Sequence, residues 1–427
     1  MKIFDQIKKA CLLIAVFAVS LTACNKIELD PTPNPPASQG TTPTLATLMD
    51  DPSFSLLKSL VTKAGMMQTF ATPSARLTLF APDDAAITAS LTPILPPGVT
   101  PPMYIASLDP ATAKSIVQYH TLPQVIPVSS IPSTFPNFQY PTLLNPAPTL
   151  SPLLRLTSFP SVRSYGGWVN NVPVIATNIQ AVNGVMHKVF RVLLPPSQDL
   201  WKTISTDAGL TYLKASIQRA DSGVAKGARL VDAISIDSNT SAIGANLTVF
   251  APNDAAMKLF LTGALTQAFI GKGFPPASAQ AAAASLVTAF GPLLISNPAS
   301  IPDVIPGVVG LGPQIAAVIT PTLAKGIVAY HIISSQAAPF TPPGLRVFSV
   351  NLPATATAIK TLLNSGVSVH PGVTVMATFV SPVPGLSVVS AATVKGVANP
   401  SASNVVAFDI HCVNGVMHKI DQVLLPQ

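Results

Sequence analysis

The apolar positions of the chain predict helices first and short strands afterwards. Asp51, with Pro52 behind it, is typical of a helix N-cap followed by proline at the first helical position, and an apolar stripe at helical spacing continues to Gly65. From residue 122 to residue 190, short β-rich runs alternate with proline, glycine and asparagine turns. This order predicts an α+β fold, in which helices flank an antiparallel sheet.

One strand and two further helices are predicted between these regions. Residues 78–81 are expected to form a strand that ends at Pro82, and Asp83 or Asp84 can cap the short helix that follows. A further helix, opened by an Asp-Pro pair and apolar on one face, ends near His120.

The whole pattern occurs twice, because three blocks of sequence return in the same order. The paired blocks are residues 77–87 with 247–257, residues 116–120 with 327–331, and residues 182–195 with 413–426. Such repeats define two homologous domains. We expect a leader at residues 1–23, a proline-rich tether at 24–44, domain 1 at 45–196 and domain 2 at 197–427.

Domain 2 is the longer copy because it carries two insertions. From position 250 to position 331 is 81 positions, against 40 from position 80 to position 120. The larger insertion lies within about residues 262–324 and is almost uncharged, and its prolines break it into helices too short for a bilayer. We expect these helices to pack over their own domain, and the alternative is an exposed docking surface. The second insertion, around residues 371–400, predicts a pair of strands.

The leader has the features of a bacterial lipoprotein signal. Basic residues precede a short apolar run at residues 10–21, and the Leu-Thr-Ala-Cys at residues 21–24 looks like a lipobox, in which Cys24 is acylated. Several acyl chains on one residue anchor a protein stably. Glu28 and Asp30, close behind Cys24, resemble surface-export signals of Bacteroidetes lipoproteins. The expected location is the outer membrane, at the cell surface or facing the periplasm.

The composition limits the partners and the disulfide bonds that the chain can be expected to have. Only 10% of residues are charged, and the net charge of +7 is spread without runs of Lys or Arg, so nucleic acid is not an expected partner. Removal of the leader leaves Cys24 and Cys412, so the only internal disulfide would use the acylated Cys24. We expect Cys412 to be a small buried residue in a strand, without a basic neighbour that lowers its pKa.

The repeated blocks resemble the signatures of the fasciclin domain. The Leu-Phe-Ala-Pro-Asp-Asp-Ala-Ala-Ile at residues 79–87 is similar to its first signature, the Tyr-His at residues 119–120 to its central motif, and residues 183–195 to its closing signature. The resemblance covers the chain from about residue 45 onward. It implies two wedge-shaped β-sandwiches flanked by helices, in a protein that works in adhesion and has no catalytic centre.

The resemblance also suggests candidate contact residues, namely Tyr119, His120, Tyr330 and His331. The alternative is that each tyrosine and histidine packs inward at a helix end. The closing signature is expected to be structural, with Asn-Gly forming a type I′ hairpin turn of positive φ and the histidine donating to a backbone carbonyl. The residues concerned are Asn183, Gly184 and His187 in domain 1 and Asn414, Gly415 and His418 in domain 2.

No common catalytic or nucleotide-binding motif is present, whether His-Glu-x-x-His, Gly-x-Ser-x-Gly, a P-loop or Cys-x-x-Cys. His411, Cys412 and His418 are close in sequence, but the alternation of a strand points His411 and Cys412 to opposite faces. We therefore expect no metal, no cofactor and no enzymatic activity.

The main functional hypothesis is a lipid-anchored envelope protein that binds a macromolecular ligand such as a glycan, a matrix component or a neighbouring protein. One alternative is a structural subunit of an envelope assembly that docks through the apolar insertion of domain 2. The other alternative is an unrecognised enzyme, which is disfavoured because no paired acids and no nucleophile with a base fall in a repeated block.

Overall fold

Helix formation in domain 1 follows the caps and apolar stripes of the sequence. In the computed structural model, Asp51 Oδ1 accepts a hydrogen bond from Ser53 N at 2.8 Å, and Asp109 Oδ1 accepts one from Thr112 N at 2.9 Å. These bonds satisfy backbone N–H groups that an uncapped helix leaves unpaired. The helices are α1 (Leu45–Leu48), α2 (Ser55–Lys63), α3 (Met67–Ala71), α4 (Asp84–Leu91), α5 (Pro101–Ser107) and α6 (Pro110–Tyr119).

The structure describes residues 42–133, 138–149, 151–333, 345–365, 369–383 and 386–427. The predicted leader, Cys24 and most of the predicted tether lie outside these residues. Residues Pro43–Gln427 form one compact unit.

The sheet of domain 1 is mixed, where an antiparallel sheet was expected. Within the described residues its strand order is β2-β1-β8-β7-β6-β5, with β3 and β4 forming a separate ribbon. The last strand, β8, lies between the first strand, β1, and the strand that precedes it in the hairpin, β7. Strand β8 runs parallel to β1 and antiparallel to β7. The strands are β1 (Leu77–Pro82), β2 (Thr121–Leu122), β3 (Tyr140–Pro141), β4 (Thr157–Ser158), β5 (Pro160–Arg163), β6 (Gly166–Val169), β7 (Val172–Ala181) and β8 (Gly184–Val189).

Domain 2 repeats this sheet with one further strand. Its order, over the part of the chain that is described, is β10-β9-β15-β14-β13-β12-β11. The residues of the second insertion form a pair of antiparallel strands, β12 and β13, as the sequence predicts. This pair holds the sheet positions of β5 and β6 in domain 1 and is longer. The strands are β9 (Leu247–Pro252), β10 (Ile332–Ile333), β11 (Thr357–Ile359), β12 (Val373–Val383), β13 (Leu386–Lys395), β14 (Ser403–Cys412) and β15 (Gly415–Ile420).

The helices of domain 2 include those of the larger insertion. Pro292 separates α11 from α12, and Pro298, Pro302 and Pro306 lie between α12 and α13, since proline lacks the N–H that a helix interior needs. Pro313 does not break a helix as expected, because it lies in the first turn of α13, where that N–H is not needed. The helices are α7 (Leu200–Thr206), α8 (Thr211–Ala220), α9 (Leu230–Ile234), α10 (Asp254–Ile270), α11 (Pro276–Phe290), α12 (Leu293–Ser296), α13 (Leu311–Val318) and α14 (Pro321–Tyr330).

The insertion builds a core with the helices of its own domain. Leu261 of α10, Leu286 of α11 and Ile315 of α13 are buried in one cluster with Tyr212 of α8 and Ile327 of α14. The inserted helices therefore pack on the helical layer of domain 2, next to the helices that the two domains share.

One helical stretch in the described residues, Leu311–Tyr330, is long and apolar enough to cross a membrane. Thr320 interrupts it by capping α14, and Pro321 occupies the first position of that helix. Helix α14 is the counterpart of α6, and its buried face includes Val328 and Tyr330. This buried face packs into the domain core.

The two domains meet along a buried seam. The rings of Phe159 in domain 1 and Phe348 in domain 2 have centroids 6.1 Å apart. Arg346 Cζ lies 5.0 Å from the centroid of the Phe159 ring. Asn351 Nδ2 donates a hydrogen bond to Ser161 Oγ at 2.9 Å. The seam thus combines aromatic packing with a buried polar contact.

Candidate functional site

The signature histidines are internal braces of the two domains. His187 Nε2 donates to the carbonyl oxygen of Ile126 at 2.8 Å, and His418 Nε2 donates to that of Val347 at 2.8 Å. Each Nδ1 accepts a backbone N–H of the preceding strand at 3.2 Å. These partners define a neutral ring protonated at Nε2, and burial lowers the pKa of His187. The histidine-to-carbonyl bonds are those expected from the sequence.

The closing hairpin turns one residue earlier than expected. Ala181 pairs with Gly184 and Cys412 pairs with Gly415, so each two-residue loop is Val-Asn. The asparagines do not have positive φ, and the glycines begin β8 and β15. The predicted type I′ turn at Asn-Gly is therefore wrong.

Both glycines are required by a close approach of two backbones. A Cβ on Gly184 would lie 2.0 Å from the carbonyl oxygen of Leu77, and a Cβ on Gly415 would lie 2.5 Å from that of Leu247. Distances this short leave no space for a side chain. Glycine here allows the last strand to pair with the first.

The signature asparagines tie the hairpin to the first helices. Asn183 Oδ1 accepts a hydrogen bond from Leu45 N at 2.9 Å, and its Nδ2 donates to the carbonyl oxygen of Phe70 at 2.8 Å. Asn414 makes the equivalent bonds in domain 2 at 2.9 and 3.0 Å. Each buried amide is thus satisfied by backbone groups.

The candidate contact residues Tyr119, His120, Tyr330 and His331 are all buried, and none is more than 1% exposed. His120 Nδ1 donates to a backbone carbonyl at 2.6 Å, and Tyr330 Oη donates to another at 2.6 Å. Burial lowers the pKa of His120 and His331 to about 4 and raises the pKa of Tyr119 to about 12. A buried side chain cannot contact an external ligand, so the structure assigns these residues to the interior packing alternative.

The first signature has a second capping role that the sequence did not reveal. Asp83 Oδ1 accepts from Ala86 N at 2.7 Å and caps its own helix α4. Asp84 instead accepts from Leu56 N at 2.8 Å and from the Ser55 hydroxyl, so it fastens helix α2. Sequence spacing suggests only the first bond, because α2 is remote in sequence.

Cys412 is buried in β14, as predicted, but the expectation about its neighbours is wrong. Arg346 Nη1 donates to the Cys412 carbonyl oxygen at 3.1 Å. Burial outweighs this positive charge and raises the pKa of the thiol to about 11. No cluster of His, Cys, Asp or Glu suited to a metal occurs in the described residues.

Arg346 is the centre of a buried polar network beside the seam. Its guanidinium donates to Asn246 Oδ1 at 2.8 Å, to His411 Nε2 at 2.8 Å, and to the carbonyl oxygens of Cys412 and Val413 at 3.1 and 2.9 Å. Burial lowers the pKa of Arg346 to about 10, so it stays charged at neutral pH. Burial and the Arg346 charge together hold the pKa of His411 well below its usual value.

An open cleft of about 530 Å³ lies on domain 2, between helices α7, α8 and α9. Its apolar wall is formed by Trp201, Ile217 and Val231. Gln218 and Asp237 are exposed at its rim. The volume falls within the ~300–1,000 Å³ of small-molecule sites, and an apolar wall with a few polar groups is typical of them.

The aromatic wall of the cleft is specific to domain 2. Leu45 N and Leu200 N both donate to the signature asparagine of their own domain, so the residues that follow them correspond. These are Ala46 in domain 1 and Trp201 in domain 2. The shared fold therefore does not require tryptophan at this position.

The rest of the cleft comes from two loops that are longer in domain 2. The carbonyls of residues 70 and 234 both accept from the signature asparagine and mark equivalent positions. Residues 220–234 span 14 positions against 6 for residues 64–70, and residues 234–247 span 13 against 7 for residues 70–77. The longer loops supply Arg229, Asp237 and Ser238 to the cleft.

A fixed ion pair supports one wall of the cleft. Arg229 Nε and Nη2 donate to the two carboxylate oxygens of buried Asp232 at 3.1 and 2.8 Å. This pairing, with a further hydrogen bond from Ser238, lowers the pKa of Asp232. Asp221 accepts from Leu230 N and Val231 N with its two oxygens. The wall is thus held in place by charge-assisted bonds.

Comparison with known proteins identifies the domain family. The fasciclin domain model matches residues 52–195. The structure of a FAS1 domain pair from the insect cell adhesion molecule fasciclin I is similar at 14% sequence identity, with a TM-score of 0.30, over 88% of this chain and 94% of that chain. No curated protein matches the chain. Residues 52–195 therefore match the fasciclin domain family, and domain 2 repeats the strand order and the signatures of that domain.

Proposed function

We propose that this protein is a lipid-anchored component of a bacterial outer membrane that binds a macromolecular ligand outside the lipid. The fasciclin match over residues 52–195 carries the proposal, since fasciclin domains are generally associated with adhesion or binding. A glycan, a matrix component and a neighbouring envelope protein are the ligand classes considered. Fasciclin domains are adhesion-type and non-enzymatic, so we propose a role in binding without catalysis.

The anchor in this proposal is Cys24. A basic start, a short apolar run and Leu-Thr-Ala-Cys support acylation at that thiol. Acyl chains would hold the amino end at the membrane, and the proline-rich residues behind it would act as an extended spacer. The two domains would then face away from the lipid.

Cys24→Ser tests the anchor, because acylation needs the thiol. We expect metabolic labelling with a radioactive or clickable fatty acid to mark the wild-type chain and not the variant. The variant should also leave the membrane fraction. Cys412→Ser is the matched control and should keep its label. Equal labelling of Cys24→Ser and wild type would contradict lipid attachment.

The binding role is tested by attachment of cells to surfaces coated with matrix material from the producing culture. Cells lacking the protein should attach less, and the wild-type gene should restore attachment. Attachment that does not depend on the protein at any expression level would overturn the proposed role. The Cys24→Ser variant separates the two claims, because a released variant that still binds the coating shows that binding does not depend on the anchor.

The alternative of an assembly subunit docked through the insertion receives less support. The insertion places its large apolar side chains in a core shared with α8 and α14. A surface already buried within its own domain is not available to a partner.

A further inference from the structure

We infer that the cleft of domain 2 binds a neutral saccharide unit, with the Trp201 ring as the platform for the apolar face of a sugar. The inference rests on the proposed binding function and gives the chemical class of the ligand. It concerns domain 2 alone, because domain 1 has Ala46 at the corresponding position.

The cleft is an addition to a fold that is complete without it. Domain 1 forms the same strand order and the same asparagine tie with shorter loops. In domain 2 a partly exposed tryptophan lines an open cleft of about 530 Å³. Large aromatic surface next to water is unfavourable for a domain alone, and tryptophan with its polar N–H is suited to contact with an amphipathic ligand.

Polar groups with unused hydrogen-bonding capacity surround the Trp201 ring. Within the described residues, no hydrogen bond occupies the indole N–H of Trp201, the amide of Gln218 or the carboxylate of Asp237. Together they offer both donors and acceptors. A sugar hydroxyl donates and accepts at the same atom, and a pyranose ring has an apolar C–H face. The Trp201 ring therefore matches the apolar face of a saccharide, and the polar groups at the rim match its hydroxyl groups.

The charges around the cleft disfavour an anionic ligand. Both Arg229 N–H groups that face Asp232 are committed to its carboxylate. The oxygens of Asp221 are committed to backbone N–H groups. Within the part of the chain that the structure describes, Asp237 has no ion-pair partner, and its carboxylate at the rim would repel carboxylate or sulfate groups. A neutral sugar satisfies the carboxylate through its hydroxyls.

Titration of the full chain with defined oligosaccharides tests the inference. The chain is kept in a detergent without a sugar headgroup, and the probes are cellotetraose, mannotetraose and chitotetraose. A hyaluronan tetrasaccharide and a tetralysine peptide are the anionic and cationic comparators. Saturation-transfer difference NMR reports the contacting face of the sugar, and calorimetry reports the affinity.

We expect at least one neutral probe to bind, with its ring protons saturated most strongly. Trp201→Ala introduces the residue that domain 1 has at this position. It should weaken saccharide binding about tenfold or more, because a stacked aromatic contact is lost. Trp201→Phe should retain part of the affinity, and Asp237→Asn should lower it severalfold. Leu259→Ala is the control, because Leu259 is 72% exposed and is not among the cleft residues.

Three results would overturn the inference: binding of no neutral probe, equal affinity in the folded Trp201→Phe and Trp201→Ala variants and wild type, or binding of tetralysine alone. The melting temperature of each variant shows whether it is folded. If the wild-type chain binds no saccharide but cells still attach to matrix through it, this inference fails and the proposed function stands. If the wild-type chain supports neither saccharide binding nor attachment, the proposed function fails as well.

Discussion

At Gly415 the backbone of β15 lies so close to Leu247 that one methyl group would collide with a carbonyl oxygen, at 2.5 Å. The φ of Gly415 is not positive, so backbone preference does not explain the glycine. Gly415→Ala must therefore shift one of the two strands. We expect it to lower the free energy of unfolding of domain 2 by about 1–3 kcal/mol, measured by urea titration.

Gly326→Ala is the matched control for that change. Gly326 lies within α14, and nothing lies within 4 Å of an added Cβ. Alanine is favoured over glycine in a helix by up to about 1 kcal/mol, so this variant should be neutral or more stable. Equal losses in both variants would show that close approach is not the reason for glycine at position 415.

The buried histidines predict that the protein loses stability in mild acid. The folded pKa of His120 and His331 is lowered to about 4, from 6.5. Between these values the unfolded chain binds more protons, so stability present above pH 6.5 falls as the pH decreases toward 4. Each histidine contributes a slope of at most about 1.4 kcal/mol per pH unit.

Urea unfolding between pH 7.5 and pH 5 measures this slope above the range where aspartates titrate. The paired variant His120→Asn and His331→Asn should unfold at lower urea but show a flatter pH dependence than wild type. Stability that is constant or rises toward pH 5 in the wild-type chain would contradict the burial of neutral histidines.

Single residues also show how far sequence reasoning extends. The cap of Asp83 and the carbonyl partner of His187 follow from local spacing or from a common role of buried histidine. The bond from Asp84 to helix α2 and the neighbours of Arg346 do not, because they join segments distant in sequence. One sequence contains no signal for such pairs.

The inserted helices of domain 2 are part of its core, and this placement predicts the effect of a buried substitution. Leu286 of α11 is 1% exposed. Leu286→Ala should lower the stability of domain 2 by about 2–5 kcal/mol, from lost burial and a residual cavity. Differential scanning calorimetry measures this loss. Leu259→Ala on α10 is the exposed control and should stay within about 0.5 kcal/mol of wild type. If both variants melt like wild type, the insertion does not support its own domain.

For helices and strands, the sequence predicts the type of each element better than its pairing. The helix and strand at residues 51–82 formed as expected, because caps and apolar periodicity are local. The parallel pairing of β1 with β8 was missed, since hydrophobic alternation does not specify the direction of a neighbour. The hairpin turn was predicted one residue too late, because the glycine of Asn-Gly suggested a type I′ turn. In the structure this glycine is required by close packing of two backbones instead.

The buried seam predicts that the two domains stabilise one another. Phe159 belongs to domain 1, is 0% exposed, and contacts Phe348 and Arg346 of domain 2. Phe159→Ala should therefore lower the melting temperature of domain 2 as well as domain 1. Calorimetry should resolve two transitions in the variant where wild type gives one. Leu153→Ala, at an 85% exposed position of domain 1, is the control.

Independent domains would give a different result. Domain 2 would then melt at the same temperature in wild type and Phe159→Ala, and only domain 1 would respond. The repeat predicts two domains, but nothing in it indicates the seam, because the contacting residues lie outside the repeated blocks.

The placement of each last strand beside the first has a consequence for biosynthesis. β1 pairs with β8 at Leu77 and Gly184, and β9 pairs with β15 at Leu247 and Gly415. A chain that emerges from its amino end therefore exposes one edge of its first strand until more than a hundred further residues have been made. Closing so long a loop is slow. The open edge of the first strand can pair with the wrong segment or with another chain during this time, so the growing chain needs protection from aggregation until its last strand is made.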